Sequence, residues 1–178
     1  MDWSKLTRLA ALPIVLATVL IALAACSIQV GLAPMTSIDY NKVKSIGMTD
    51  FENHASYVYA PLTTEFNQTL RDMFTQQTRL TVNNGAGDLE ISGEITGYAQ
   101  TNEAVDASGY SSTVRLTLTV KVTYINNTNH EEDFTDQTFS AYQTYDATES
   151  LTSVQDGLIT LMVDDITEQI FNSTVANW

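Results

Sequence analysis

VRLTLTVKVTY, residues 114–124, alternates without a break. Val114, Leu116, Leu118, Val120, Val122 and Tyr124 take one side, while Arg115, Thr117, Thr119, Lys121 and Thr123 take the other. Successive side chains of a strand point to opposite faces, so this run is a long strand with one covered face and one face open to water. Such a strand belongs to an antiparallel sheet rather than a parallel one buried on both sides.

The same period of two appears on either side. Leu89, Ile91, Gly93, Ile95 and Gly97 share one face, against Glu90, Ser92, Glu94, Thr96 and Tyr98. The two glycines on the apolar face are expected where a helix crosses the sheet closely. Asn126-Asn127-Thr128-Asn129 turns the chain into a third strand, from about Asp133 to Tyr145. Phe134 and Phe139 there are out of phase, which predicts a bulge near Asp136. Beyond these strands the period lengthens. Val154, Leu158, Leu161, Met162, Ile166 and Ile170 form a helical stripe behind a Thr152–Gln155 capping box. On the other side, Leu62, Phe66, Leu70, Met73 and Phe74 form a second stripe after Pro61, a residue that suits a first helical turn. Asn83 to Asp88 reads as a turn cluster, and Tyr40 to Met48 as a first strand. The expected fold is α+β: a two-layer sandwich with two helices on one face of a four-stranded, mostly antiparallel sheet.

The N-terminal segment has another logic. Lys5 and Arg8 precede seventeen uncharged residues, Leu9 to Ala25, which end in Leu23-Ala24-Ala25-Cys26. A basic start, an apolar run and a small-residue end make a secretory signal, removed before folding. A membrane span needs about 20 apolar residues, and Pro13 interrupts this shorter run. The four residues ending in Cys26 resemble the bacterial lipoprotein signal, in which the cysteine thiol carries diacylglycerol and the new amino terminus is acylated. The chain therefore divides into a signal peptide (1–25), an acylated N-terminus with a short tether (26–37) and one domain (38–178). Ser27, where an Asp would favour the inner membrane, points to the periplasm-facing leaflet of the outer membrane.

The whole chain carries a formal charge of −13. Without residues 1–25, whose Asp2, Lys5 and Arg8 sum to +1, it is −14. That balance excludes nucleic acid and a polybasic membrane contact, both of which rest on Lys and Arg. Attachment must come from acyl chains, of which two hold firmly where one is marginal. The only cysteine, Cys26, is committed to lipid, so no thiol remains for a disulfide, a metal or a nucleophile. His130 with Glu131, Glu132 and Asp133 lies in a hairpin turn where the side chains diverge. His54 has no second histidine at ligand spacing. Asn67-Gln68-Thr69 and Asn172-Ser173-Thr174 fit a glycosylation pattern but read as helix surface. With no hydrolase, metalloprotease or phosphate-loop motif, the chain is read as a non-enzyme without a cofactor beyond the lipid on Cys26. Arg115 and Lys121, on one open face in a chain poor in bases, are either surface solubility or a small cationic patch for a phosphorylated ligand.

Several stretches together carry a resemblance: KVKSIGMTDFEN (42–53), FNQTLRDMFTQQTRL (66–80), GDLEISGEITGY (87–98), RLTLTVKVTY (115–124), TFSAY (138–142), SLTSVQDGLI (150–159) and the closing Ala176-Asn177-Trp178. In this order they resemble the lipopolysaccharide-assembly lipoprotein family, LptE-like proteins. The resemblance implies a two-helix, four-strand sandwich anchored in the outer membrane. Its implied partner is a large β-barrel that inserts lipopolysaccharide, which the chain would assemble or plug, with lipopolysaccharide itself as a further ligand. Basic contact residues of that family have no clear match here, so Arg115 and Lys121 are candidates by chemistry. A lipoprotein adaptor or pilot for another envelope machine, such as a secretin, is the competing expectation.

Overall fold

The three long strands form one side of the sheet, the last of them at its edge, and the short strands extend it on the other side. The computed structural model describes residues 38–57, 59–105 and 111–176. The expected signal segment, Cys26, the tether 26–37 and the closing Asn177 and Trp178 lie outside the described residues. In chain order the elements are β1 (Ser45–Met48), β2 (Glu52–Asn53), α1 (Ala60–Gln77), β3 (Thr81–Asn84), β4 (Leu89–Val105), β5 (Ser111–Asn126), β6 (Phe134–Asp146) and α2 (Leu151–Thr174). A single 3-10 turn, His130–Glu132, joins β5 to β6. Among the described residues no helix is long and apolar enough to cross a membrane.

The α+β expectation with two helices holds, but the sheet is mixed and has six strands rather than four. Its order is β3-β1-β4-β5-β6, with β2 also on β4. β4, β5 and β6 are antiparallel neighbours, as their alternation requires. β1 runs parallel to both β3 and β4, and β2 runs parallel to β4. The missed strands have four residues or fewer, too short for a period of two to register. The first strand is also shorter than expected. Asp39 and Asn41 close a turn, with the Lys42 and Val43 amides donating to the Asp39 carbonyl, and pairing begins only at Ser45.

Both helices contribute to one buried cluster with the inner face of the sheet. α1 buries Leu62, Phe66, Leu70 and Phe74, the spacing expected of it. The Phe74 ring meets Phe171 of α2 edge-on at 5.2 Å. α2 is rotated from its expected stripe. It buries Ile159, Met162, Val163, Ile166 and Ile170, while Leu161 is exposed. Its N-cap is Ser150 rather than Thr152. Gln155, expected in a capping box, is buried and donates to the Tyr98 hydroxyl at 2.8 Å.

Two glycines allow close approaches. A Cβ at Gly47 would lie 1.6 Å from the Gly85 carbonyl oxygen, so the Gly85–Asp88 connection crosses β1 directly over this residue. Ile46 and Met48 on either side point into the core, so the crossing lies on the opposite face. Gly85 itself has φ of +88°, a conformation that favours glycine. Asp88 then ties the crossing down: its carboxylate accepts from the Lys44 and Ser45 amides at 2.8 and 3.0 Å and from the Ser45 hydroxyl at 3.0 Å. At Gly93 it is the Phe51 ring, not a helix, that fills the space, 2.4 Å from where a Cβ would stand. Gly97 does not share that face. The register shifts between Ile95 and Gly97, which turns Tyr98 inward and sets Gly97 against Thr119. The bulge expected near Asp136 is present: the register shifts between Val122 and Tyr124, and Asp136 has φ of 53°.

Candidate functional site

The outer face of β4–β5–β6 is where the sequence places its candidate bases. Alternation along β5 sends Arg115, Thr117, Thr119, Lys121 and Thr123 outward, partly exposed. Thr138, Ser140, Tyr142 and Thr144 of β6 stand beside them, all exposed. This face is a hydroxyl-rich plane with a few charges.

Arg115 and Lys121 share the face but not a site. Six residues separate them, about 20 Å along an extended strand, so one phosphate cannot bridge both. Their surroundings also differ. The Arg115 guanidinium is ion-paired with Glu103 and lies over the Tyr142 ring, 4.0 Å from its centroid. Its Nε is buried without a hydrogen-bond partner among the described residues. A planar guanidinium suits this combination of stacking and charge pairing. Lys121 pairs in register with Glu94 on β4 and Thr138 on β6. Its ammonium makes no ion pair among the described residues.

Glu94 is engaged elsewhere. His54, just after β2, places Nδ1 2.8 Å from Glu94 and Nε2 3.3 Å from Glu52. The histidine thus links the short parallel strand to β4. His130 is exposed on its turn and pairs with Asp133 at 2.8 Å. Asp133 has its carboxyl held below the usual range, first by the Asn126 amide and then by His130. No group of three or more metal-ligating side chains forms among the described residues. Asn67, in the first glycosylation-like triplet, is committed to structure. Its side chain accepts from the Phe51 amide at 2.8 Å and donates to the Phe51 carbonyl at 3.1 Å.

Glu103, Tyr142 and His54 have no local sequence signal. Glu103 and Tyr142 come from the two strands flanking β5, and only the observed register brings them to Arg115.

Known proteins bear on this two-layer arrangement directly. The family model for LptE, described as lipopolysaccharide-assembly, matches residues 43–174, well over half of the chain. The chain belongs to the LptE family. Among curated proteins no sequence matches it. Among solved structures it is similar to the rare lipoprotein B of Shewanella oneidensis, with a TM-score of 0.50 and 10% identity over 71% of this chain and 92% of that one. A hypothetical protein from Chlamydia trachomatis matches with a TM-score of 0.50 and 11% identity over 71% and 93% of the two chains. A minor lipoprotein from Acinetobacter baumannii is 18% identical over 74% and 93%, with a TM-score of 0.48. At such identities the likeness is one of fold. The LptE match spans every described element from β1 through α2, so it takes in the outer face carrying Arg115 and Lys121.

Proposed function

We propose that the mature chain, residues 26–178, is the lipoprotein subunit of a lipopolysaccharide translocon. In this reading acyl chains on Cys26 hold it to the periplasm-facing leaflet of the outer membrane. There it assembles or plugs the large β-barrel that inserts lipopolysaccharide into the outer leaflet. The observation that carries the reading is the LptE match over residues 43–174. The −14 charge agrees with it, since electrostatic adhesion to an anionic membrane is unavailable and the lipid must do the anchoring. The role is mechanical: the sandwich supplies a rigid body, and no bond is made or broken.

Crosslinking in intact membranes followed by mass spectrometry tests the partner. The expected adduct is a barrel of several hundred residues. Capture of an oligomeric secretin instead would make the chain a pilot, and a protein recovered free and unacylated from the periplasm would remove the anchor on which the reading depends.

Contact with lipopolysaccharide is the finer part of the proposal, and the candidates remain Arg115 and Lys121. Arg115 is engaged by Glu103, so Lys121 is the base better placed to meet an anionic group. Lys121→Glu is expected to weaken lipopolysaccharide binding with no loss of folding. Binding that is unchanged in a purified assay discards the cationic role and leaves the structural one. Arg115→Glu is less decisive, because it sets two carboxylates against each other at Glu103.

A further inference from the structure

β6 is the last strand of the sheet, and among the described residues it pairs with β5 alone. The two edges of the sheet are built differently. β3 has four residues, too short to template much pairing. β6 has thirteen, and from Gln137 to Tyr145 it carries neither a charge nor a proline. Natural edge strands are blunted by brevity, Lys, Pro or a bulge. Here the bulge at Asp136 blunts only the start of the strand and leaves Gln137 to Tyr145 in unbroken register with β5.

The register also decides which backbone groups face outward. The Lys121 carbonyl is turned toward Gly93 and the Thr119 carbonyl toward Thr96, both on β4. Along an antiparallel strand successive residues bond alternately to one neighbour and to the other. Leu118, Val120 and Val122 therefore bond to β6, where they meet Ala141, Phe139 and Gln137. The N–H and C=O of Thr138, Ser140, Tyr142 and Thr144 are left pointing away from the sheet, over about 20 Å of strand. All four residues are exposed. One of these groups is in use: the Ser140 carbonyl accepts from the Gln169 side chain of α2 at a long 3.3 Å. No other hydrogen bond meets the row among the described residues.

Donors and acceptors alternating at strand spacing are matched by another extended backbone. Charge chooses where that backbone comes from. A second copy of β6, antiparallel and centred on Ala141, would set Asp136 against Asp146 at both ends, and like charges directly opposite destabilise a sheet. It would also bring two acidic helix flanks together, since Asp165 accepts from the same Gln169 amide that reaches the edge. A segment with an uncharged middle and a Lys or Arg at each end meets neither objection. Val and Thr suit its middle, because they fit a pleated surface beside Thr138, Ser140 and Thr144.

We propose that β6 takes up an added strand from a partner protein, an uncharged β-branched segment with a basic residue at each end, paired along Thr138 to Thr144. The Gln169 amide gives way to a main-chain N–H of the incoming strand. That strand lies in the plane of the sheet and leaves the outer face open at Lys121, so the inference stands apart from the lipopolysaccharide reading.

The test uses the acylated mature protein in detergent micelles, with the end-blocked peptide Lys-Thr-Val-Thr-Val-Thr-Val-Thr-Lys as the probe and NMR as the readout. The amides of Thr138, Ser140, Tyr142 and Thr144 are expected to shift and saturate. Methylating every Thr and Val nitrogen of the peptide is expected to weaken it at least about tenfold, since each methyl removes a main-chain donor. Replacing its end lysines with glutamates is expected to weaken it too. Ser140→Pro removes an outward N–H and keeps the pairing to β5, and it is expected to lose the peptide. Several results would overturn the proposal: no saturation by about 1 mM, shifts away from β6, or a methylated or glutamate-ended peptide that binds as well as the parent. Folded Ser140→Pro that binds normally would do the same. A peptide-free dimer that Ser140→Pro turns into a monomer would give the edge to a second copy instead. Should Ser140→Pro fail to fold, the methylated peptide decides on the unaltered protein.

Discussion

A single missing side chain decides whether β1 can be crossed. At Gly47 even a methyl group would meet the backbone of Gly85 and Ala86, which cannot swing away as a flexible side chain would. Gly47→Ala is therefore expected to lower stability by at least about 3 kcal/mol, the upper end of ordinary overpacking, read by denaturant unfolding. Gly157, inside α2, has nothing within 4 Å of its Cβ position. There Gly157→Ala is expected to raise stability by about 0.5–1 kcal/mol, and the opposite signs separate close approach from general sensitivity. Tyr98 makes a second residue-scale case. Burial pushes its phenol up to about 12, against a smaller downward pull from Gln155. Between the ordinary value of 10 and about 12 the unfolded chain releases this proton while the folded chain keeps it, so stability falls as pH rises through that window and is complete below it. Tyr124 and Tyr145 are also raised by burial and steepen the fall. Tyr98→Phe is expected to flatten the slope between pH 10 and 12. At neutral pH it should cost about 1–3 kcal/mol, because the buried Gln155 amide loses its acceptor.

Among the elements, β1 and β2 are held to the helix layer by two side chains. Asn67 of α1 meets both the N–H and the C=O of Phe51, as a neighbouring strand would, and Arg71 one turn later reaches the Met48 carbonyl and Asp50. Asn67→Ala is expected to cost about 1–3 kcal/mol and to speed hydrogen exchange at Phe51 and Asn53 well before β5; exchange that rises evenly through the sheet would refute this anchoring. These contacts also mark where the sequence stops being legible. β5 and α1 could be read because each buries one clean face, Leu116 to Tyr124 in one and Leu62 to Phe74 in the other. α2 misled because apolar residues surround much of it. Leu158 and Leu161 compete with Ile159 and Val163 for the core, and packing against β6 and α1 decides, admitting Gln155, Thr167 and Thr174 as buried polar residues. β2 and β3 depend wholly on parallel partners far along the chain. The candidate site was half legible for the same reason. Alternation places Arg115 and Lys121 on the open face, but Glu103 and Tyr142 become visible only once the register of three strands is known.

For the whole molecule, what matters is how unevenly its charge of −13 is spread. α2 carries Asp156, Asp164, Asp165 and Glu168 and not one base in its 24 residues. α1 adds Glu65 and Asp72, and its only base, Arg71, is paired with Asp50. The outer face of the long strands holds Arg115 and Lys121 against Glu90, Glu94, Glu103 and Asp146, a smaller excess of acid than on the helices. Over the roughly 8 Å that charges act at physiological salt, the helix layer repels an anion and the neighbourhood of Lys121 does not. If lipopolysaccharide is a ligand, as proposed, it must approach the sheet. A photocrosslinking residue at Thr138, opposite Lys121 in register, is expected to capture it in membranes. The same residue at Asp164 or Glu168 is expected to capture protein or nothing. Raising salt should narrow the difference, because the discrimination is electrostatic and not a matter of shape. Lipid adducts at the α2 positions with none at Thr138 would reverse the assignment, leaving the open face of the sheet for the barrel.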